Sequence, residues 1–371
     1  MSQRGPHILL AVDSRPSEPE LRVALSNEPF GALRAQWDAL YRADPRATPF
    51  LAPGFGGAWL RHWADGVAPW VLTLHEDEAL VGLAPLVLRR RGPVRTLMPL
   101  GFYVGNYWDV LARPDRRAAV EAAVAAELAR RRDEWDALVL DTLSPGSALP
   151  AALRRAGLRV RARGCRPYPG LRLPASFDEY LAGLGRVRRR ELRRRLRPLD
   201  SGQLELVDVH DPAGLDATVT TFQELRAVWW QTRGKTLNPD HTRPDFSAFL
   251  QAALRELVPA GRAVARELRS ADRVVGVTLD LRDDTTLYAW LNAYHPDIGR
   301  LGPGKMVMTE TIRGAISAGL GYFDFMVGDE PYKYDFGAVD RQVPRLLAGS
   351  GTVRSDVALA GALGAERWRA R

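Results

Sequence analysis

Cysteine is nearly missing from this chain: Cys165 is the single one in 371 residues. No intrachain disulfide can form, a reducing cytoplasm is the expected compartment, and the lone thiol is given no role. Long apolar runs are missing too. No segment reaches the length of a membrane span, and the N-terminus lacks the basic, apolar and small-residue order of a signal peptide. The six histidines show no ligand spacing and have no cysteine company, so no metal site is expected. No Gly-x-Ser-x-Gly elbow appears. Lysine is scarce in a different way. Of 52 lysines and arginines only three are lysine, namely Lys235, Lys305 and Lys333. Arginine serves almost everywhere a positive charge suffices, which draws attention to places where a compact ammonium has been kept.

What is present describes a globular α/β protein. The length suits two domains, and 46% hydrophobic with 26% charged residues excludes a disordered or fibrous chain. Residues 1–20, rich in Pro, Ser and charge, read as a flexible tail. The net charge of +8 is concentrated: residues 186–197 (RVRRRELRRRLR) hold eight arginines and one glutamate, leaving 8 − 7 = +1 for the rest. Leu192, Leu196 and Leu199 give that segment an apolar stripe. It reads as an amphipathic connector helix with a solvated face, or as a site for a phosphate-bearing substrate, tRNA or an anionic membrane surface.

Periodicity predicts strands at 21–25, 71–75, 79–88, 95–100, 107–111, 137–141, 158–163 and 168–173 in the first half, with helices at 31–41, 55–63, 115–132 and 148–156. The second half reads as helices at 177–184 and 186–197, a strand at 204–209, helices at 212–233 and 244–258, and strands at 263–268 and 274–281. The two halves share this order. They also match in residues: LHEDEALVGLAPLV (74–87) aligns without gaps to LRSADRVVGVTLDL (268–281). Two copies of one α/β unit are expected, at 21–173 and 174–348, followed by a helical tail at 349–371.

Residues 288–337 carry the most chemistry. In the strand ending at Tyr294, residues Tyr288, Trp290, Asn292 and Tyr294 point one way, and Leu287, Ala289, Leu291 and Ala293 the other. Gly302-Pro303-Gly304 then opens a helix with Met308, Ile312 and Ile316 on one face. A glycine turn at a helix N-terminus offers unpaired N–H groups and a positive dipole end to a pyrophosphate. A second strand, Tyr322 to Val327, leads into a loop bearing Lys333. The first half has no such glycine pair: its strand near Leu111 reaches its helix through Ala112-Arg113-Pro114. GRLGPGKM (299–306) nearly spells a nucleotide phosphate loop, but Met306 replaces the metal-binding hydroxyl and Pro303 lacks a donor, so that reading is set aside.

Several segments, in order, resemble the GNAT acyltransferase fold in its tandem form. They are Pro49-Phe50, VGLAPLVL (81–88), LGFYVGNYWDVL (100–111), the arginine helix, Gly302-Pro303-Gly304 and DFMVGDEPYKYDFG (324–337). The chain is similar to Fem-type aminoacyl transferases and, more closely, to the CelD/BcsL-type acetyltransferases of cellulose biosynthesis. The resemblance implies tandem GNAT-like units, each a mixed, mainly antiparallel sheet flanked by helices. It also implies acyl-CoA, as acetyl-CoA, bound between the strands at 287–294 and 322–327. Its contacts would be Tyr294, Arg300, Leu301, Gly302, Gly304 and Lys305, although this turn is shorter than the family pattern. Tyr332-Lys333-Tyr334-Asp335-Phe336-Gly337 is similar to a Fem-type loop whose lysine region stabilises charge on the acyl carbonyl. Lys333 is therefore the candidate oxyanion stabiliser, with Tyr332 beside it and Asp324 as candidate base; Asp329, Glu330 and His295 are further options.

For the acceptor, a small molecule or glycan such as an amino sugar, the candidates are Tyr107, Asp109, Arg226, Trp230, Trp290 and Asn292 in the cleft between the halves. Two other readings stay open. One is a Fem-type transferase using aminoacyl-tRNA; the other is a non-catalytic carbohydrate or nucleic-acid binding protein on the same fold.

Overall fold

Leu74 faces Gly82 across one hairpin, and Leu268 faces Gly276 across another, at an offset of 268 − 74 = 194. A side chain on either glycine would come within 3.2 Å of the opposing leucine Cβ, and closer still to Val120 in one copy and Tyr294 in the other. A register shift lies beside each pair. The two hairpins thus share a bulge and a close backbone approach at the same offset.

The computed structural model describes residues 21–63, 66–232, 244–352, 354–356 and 359, with the side chains of Trp230 and Pro244 outside that set. The first half runs β1 (Arg22–Ser26), α1 (Arg34–Ala43), α2 (Pro53–Trp63), β2 (Val67–Glu76), β3 (Ala79–Arg91), β4 (Val94–Pro99), β5 (Leu111–Ala112), α3 (Arg117–Arg130), β6 (Ala137–Leu140), α4 (Leu149–Arg155) and β7 (Arg159–Arg172). The second runs α5 (Phe177–Gly183), α6 (Arg186–Asp200), β8 (Glu205–Val209), α7 (Pro212–Thr232), α8 (Pro244–Leu257), β9 (Ala263–Ser270), β10 (Arg273–Arg282) and β11 (Thr286–Tyr294). It ends with α9 (Pro303–Ser317), β12 (Tyr322–Asp324), α10 (Pro331–Asp335) and β13 (Val339–Gly349). The expected class, a mostly antiparallel α/β arrangement flanked by helices, is what the structure shows.

The strands form one sheet in the order β1-β2-β3-β4-β6-β13-β7-β12-β11-β10-β9-β8. Each half contributes an antiparallel meander closed by one parallel pair, β4 with β6 and β11 with β12. The last strands cross over. The first half's β7 pairs with β12, and the second half's β13 pairs with β6, while β7 and β13 run side by side at the centre. The main core spans the seam, where Phe55 of α2 meets Phe249 of α8 edge to face at 5.3 Å.

Four local expectations change. The two strands placed at 158–163 and 168–173 are one strand, β7. The strand placed at 107–111 is a loop, with pairing confined to β5, because Tyr107 adopts φ +52° and turns the chain out of the sheet. β12 stops at Asp324, since Met326 sits at φ +62° and ends the extended run. β13 is not expected from the sequence at all. Pro344 lies inside it, and the register slips between Pro344 and Leu346, so the alternation that marks a strand is broken there.

Candidate functional site

The parallel pair β11·β12 is only three residues deep, from Thr286 opposite Tyr322 to Tyr288 opposite Asp324. Beyond it β11 continues to Tyr294 while β12 has ended, so the sheet splays open. The opening is a groove of about 730 Å³. The corresponding splay in the first half, past the ends of β4 and β6, is filled. Phe50, Leu100, Phe102 and Trp108 crowd it and leave about 10 Å³, room for about one water. Only the second copy keeps its groove.

One end of the groove is the turn into α9. Gly302 adopts φ +67° as the N-cap, and a Cβ there would lie 2.5 Å from Arg195 Nη1. Arg195, on α6, donates to the Leu301 carbonyl at 2.9 Å and so braces the turn from behind. Gly304 and Lys305 follow in the first turn of a 15-residue helix, where backbone N–H groups have no intrahelical partner. The Lys305 ammonium lies 3.0 Å from Glu191 Oε1 and 2.7 Å from Asp335 Oδ2. Burial alone would lower its pKa; the bonds with Asp335 and Glu191 outweigh that and raise it.

Tyr294, Ala293 and Met308 form the middle of the groove, and Tyr332 overhangs it, 40% exposed. Burial pushes the Tyr332 phenol up to about 12, with the Glu330 charge adding to the shift. The far end is lined by Trp290 and Asn292 of β11 with Phe222, Arg226 and Trp229 of α7. Trp290 packs against Phe50 and Phe55 of the first half and donates its Nε1–H to the Val104 carbonyl at 3.2 Å. Among the described residues that line the groove, Arg226, His295 and Lys305 carry or can carry positive charge, and none is a carboxylate.

The other candidates lie elsewhere. Lys333 is 3% exposed and faces inward. Its ammonium donates to the carbonyls of Met326, Val327 and Gly328 at 3.1, 2.9 and 3.1 Å and pairs with Glu330 at 2.8 Å. Four acceptors leave it no donor for a substrate oxyanion, because an ammonium has three. Asp324 is fully buried. Its Oδ2 accepts from the Tyr107 hydroxyl at 2.6 Å and from Arg341 Nη2 at 2.7 Å, and its Oδ1 accepts from the Met326 N–H. Burial pushes this carboxyl upward, and the bonds with Tyr107 and Arg341 only partly offset it. A base with both oxygens engaged and no exposed surface does not meet an acceptor.

Asp109 is likewise buried, tied to Arg46 at 3.1 Å and to Ser147 at 2.8 Å, and burial pushes it up to about 6. Arg300 points to solvent, and Leu301 packs beside Leu204 and Met306. Of the sequence candidates, then, Tyr294, Gly302, Gly304, Lys305, Tyr332, Trp290, Asn292 and Arg226 meet in one groove. Lys333, Asp324, Tyr107, Asp109, Arg300 and Leu301 do not line it, and the Trp230 side chain lies outside the described residues. Sequence reasoning missed Arg195, which hid among seven other arginines of its segment, and Arg341, which lies on the unexpected β13.

Residues 186–334 match the family described as an acetyltransferase (GNAT) domain. That segment contains α6, the groove strands, the turn and Tyr332. That segment is similar to the GNAT acetyltransferase domain, and the protein is a transferase. No curated protein matches the chain. Among solved structures it is similar to FemX (12% identity, TM-score 0.62), covering 84% of this chain and 95% of that one. It is also similar to the C-terminal domain of a putative lysylphosphatidylglycerol synthetase from Agrobacterium fabrum (13%, 0.54; 89% and 95%). A third likeness is to L-PGS from Bacillus licheniformis (12%, 0.52; 89% and 95%). At these identities the likeness is one of fold. Among the described residues no helix is long and apolar enough to cross a membrane.

Proposed function

We propose that the groove binds an acyl-CoA, as acetyl-CoA, and that the protein transfers its acyl group to an amine or hydroxyl of a small acceptor such as an amino sugar or polysaccharide precursor. The observation that carries this reading is the contrast between the two splays, one open at about 730 Å³ beside a glycine turn and one closed at about 10 Å³ without it. The residues present fit the ligand. The N–H groups of Gly304 and Lys305 suit a pyrophosphate, Gly302 lets the backbone approach, and a lining without carboxylates does not repel it.

The thioester supplies an activated acyl group. The acceptor lone pair attacks its carbonyl directly, the C–S bond breaks, and the thiolate leaves. No covalent enzyme intermediate is invoked, since Cys165 lies exposed on β7 and does not line the groove. Tyr332, held protonated at neutral pH, is the group assigned to protonate the thiolate, and the proton that the attacking amine or hydroxyl loses returns through solvent to the tyrosinate. Lys333 acts one step back: it gathers three carbonyls of the loop after β12 and so ties that loop to α10, from which Tyr332 overhangs. Asp324 positions the seam in the same sense.

Hydrogen exchange tests the reading. Acetyl-CoA is expected to protect residues 291–305 and 324–333; protection at residues 99–108 instead would overturn it. A second reading, transfer from aminoacyl-tRNA, is favoured by one observation. Arg186, Arg190, Arg193, Arg194 and Arg197 are all exposed on α6, the helix that braces the turn. Salt-dependent tRNA binding without acetyl-CoA binding would select it.

A further inference from the structure

Among the described residues two aromatic side chains are exposed: Tyr332, over the groove, and Tyr103, which is 49% exposed. Tyr103 also sits at φ +75°. Four other described non-glycine residues share a positive φ, and each has a local reason. Asp77 and Ala271 turn hairpins, Tyr107 is buried and bonded to Asp324, and the Met326 carbonyl is gathered by Lys333. Tyr103 has none of these. The left-handed region is unfavourable for a side chain of this size, and glycine would fit there without strain, as Gly101 does at φ +86° in the same loop. The contacts that Tyr103 makes are modest ones at a surface. Its hydroxyl accepts from Arg89 Nη1 at 2.9 Å, and its ring meets Phe102 edge to face at 4.6 Å. They hold the ring in place and leave it open to water.

The position of Tyr103 gives the strain a use. Its neighbour Val104 accepts the Trp290 indole N–H at 3.2 Å, and Trp290 lines the far end of the groove. On the other side, Phe102 packs on Trp59 at 4.9 Å and anchors the loop in the core. The loop at 100–107, from the half whose own splay is filled, thus carries a second aromatic ring to the rim beyond Trp290. An exposed ring suits a partner with one apolar face and one hydrated face. A pyranose has that character: its C–H face covers an aromatic ring while its hydroxyls stay in water.

We infer that Tyr103 is the stacking subsite for a further sugar ring of the acceptor, so that the acceptor is a glycan chain of two or more rings. The inference rests on the groove being the transfer site and on a sugar acceptor. A ring on Tyr103 holds the chain against the first half. The ring next to it then lies at Trp290, with its nucleophile directed along the groove toward the thioester near Tyr332.

A chain-length series tests this. β-1,4-linked glucosamine of one, two and three rings is titrated by tryptophan fluorescence without acetyl-CoA and compared in thiol-release assays with it. Kd and KM are expected to fall by about threefold to tenfold from one ring to the longer chains, as one stacked ring gives, with kcat little changed. Tyr103→Gly is expected to abolish that gain without lowering Tm, because it removes the ring and relieves the φ together. Tyr103→Phe is expected to keep the gain, and the acetyl-CoA isotherm of each variant reports an intact groove. Equal affinity for all lengths, a gain that survives Tyr103→Gly, or no binding of any length at millimolar concentration would overturn the inference. So would a Tm lowered by about 3 °C or more in Tyr103→Gly, which would make the ring a structural one. Failure of the acyl-CoA reading is seen separately, as a missing acetyl-CoA isotherm in the unaltered protein, while the fluorescence series still reads the effect of chain length.

Discussion

The Tyr107 hydroxyl donates to Asp324 Oδ2 at 2.6 Å, joining residues 217 positions apart and closing the seam between the halves. Arg341, from β13, completes the contact: it bonds the same oxygen and lies 4.9 Å from the Tyr107 ring centroid. Three strands or loops from different parts of the chain thus converge on one buried carboxylate. Tyr107→Phe should lower stability by about 1–3 kcal/mol, the cost of a lost bond to a buried acceptor. Arg341→Ala should cost more, because it leaves the carboxylate without its cation. Burial raises the Asp324 pKa, so the folded state holds its proton more tightly than the unfolded chain and this group's contribution weakens as pH rises. The Arg341→Ala penalty should therefore be larger at about pH 8 than at about pH 5 in urea denaturation. Equal penalties would show that Arg341 does not alter the protonation of Asp324 across this range.

Lys333 separates a positioning role from a chemical one. Lys333→Met keeps the volume but strands the carbonyls of residues 326–328, so hydrogen-exchange protection there should fall together with acyl transfer, the latter by about tenfold or more. If transfer fell while protection stayed intact, Lys333 would be acting on the acyl carbonyl after all.

Gly302 is the position where the turn tolerates no side chain. Gly302→Ala meets both a left-handed φ and the Arg195 guanidinium. It should cost about 1–2 kcal/mol in stability and weaken acetyl-CoA binding by about tenfold. An unchanged isotherm would remove the turn from the binding site.

Asp280, on β10 beside the groove strand β11, gives a second pH prediction. It lies in β10 where the register with β11 shifts, and is 4% exposed. Burial pushes it up to about 7, with Arg266 opposing. Between the ordinary carboxylate pKa of 3.8 and about 7 the folded protein keeps a proton that the unfolded chain releases, so its contribution to stability falls as pH rises through that window. Asp280→Asn should be more stable than the parent by about 1–2 kcal/mol at about pH 8 and little different at about pH 4. A variant less stable at both would mean that the Arg266 pair dominates.

The groove was legible because local chemistry writes it: glycine for the turn into α9, apolar spacing for α9 itself, and period-two alternation for β11. The two matching hairpins were legible for the same reason, since a hairpin with a glycine facing a leucine is a local pattern. The seam was not. Whether Lys333 faces a groove or its own loop, and whether Asp324 meets an acceptor or Tyr107 and Arg341, depends on strands far apart in sequence. The exchange of β7 and β13 leaves no periodic trace, and Pro344 masks β13 altogether.

The most direct measurement is calorimetric titration with acetyl-CoA. One open splay predicts saturable binding at one molecule per chain, weakened in Gly302→Ala. Two molecules per chain, or no heat at millimolar acetyl-CoA, would contradict the assignment of a single acyl-donor groove to the second half.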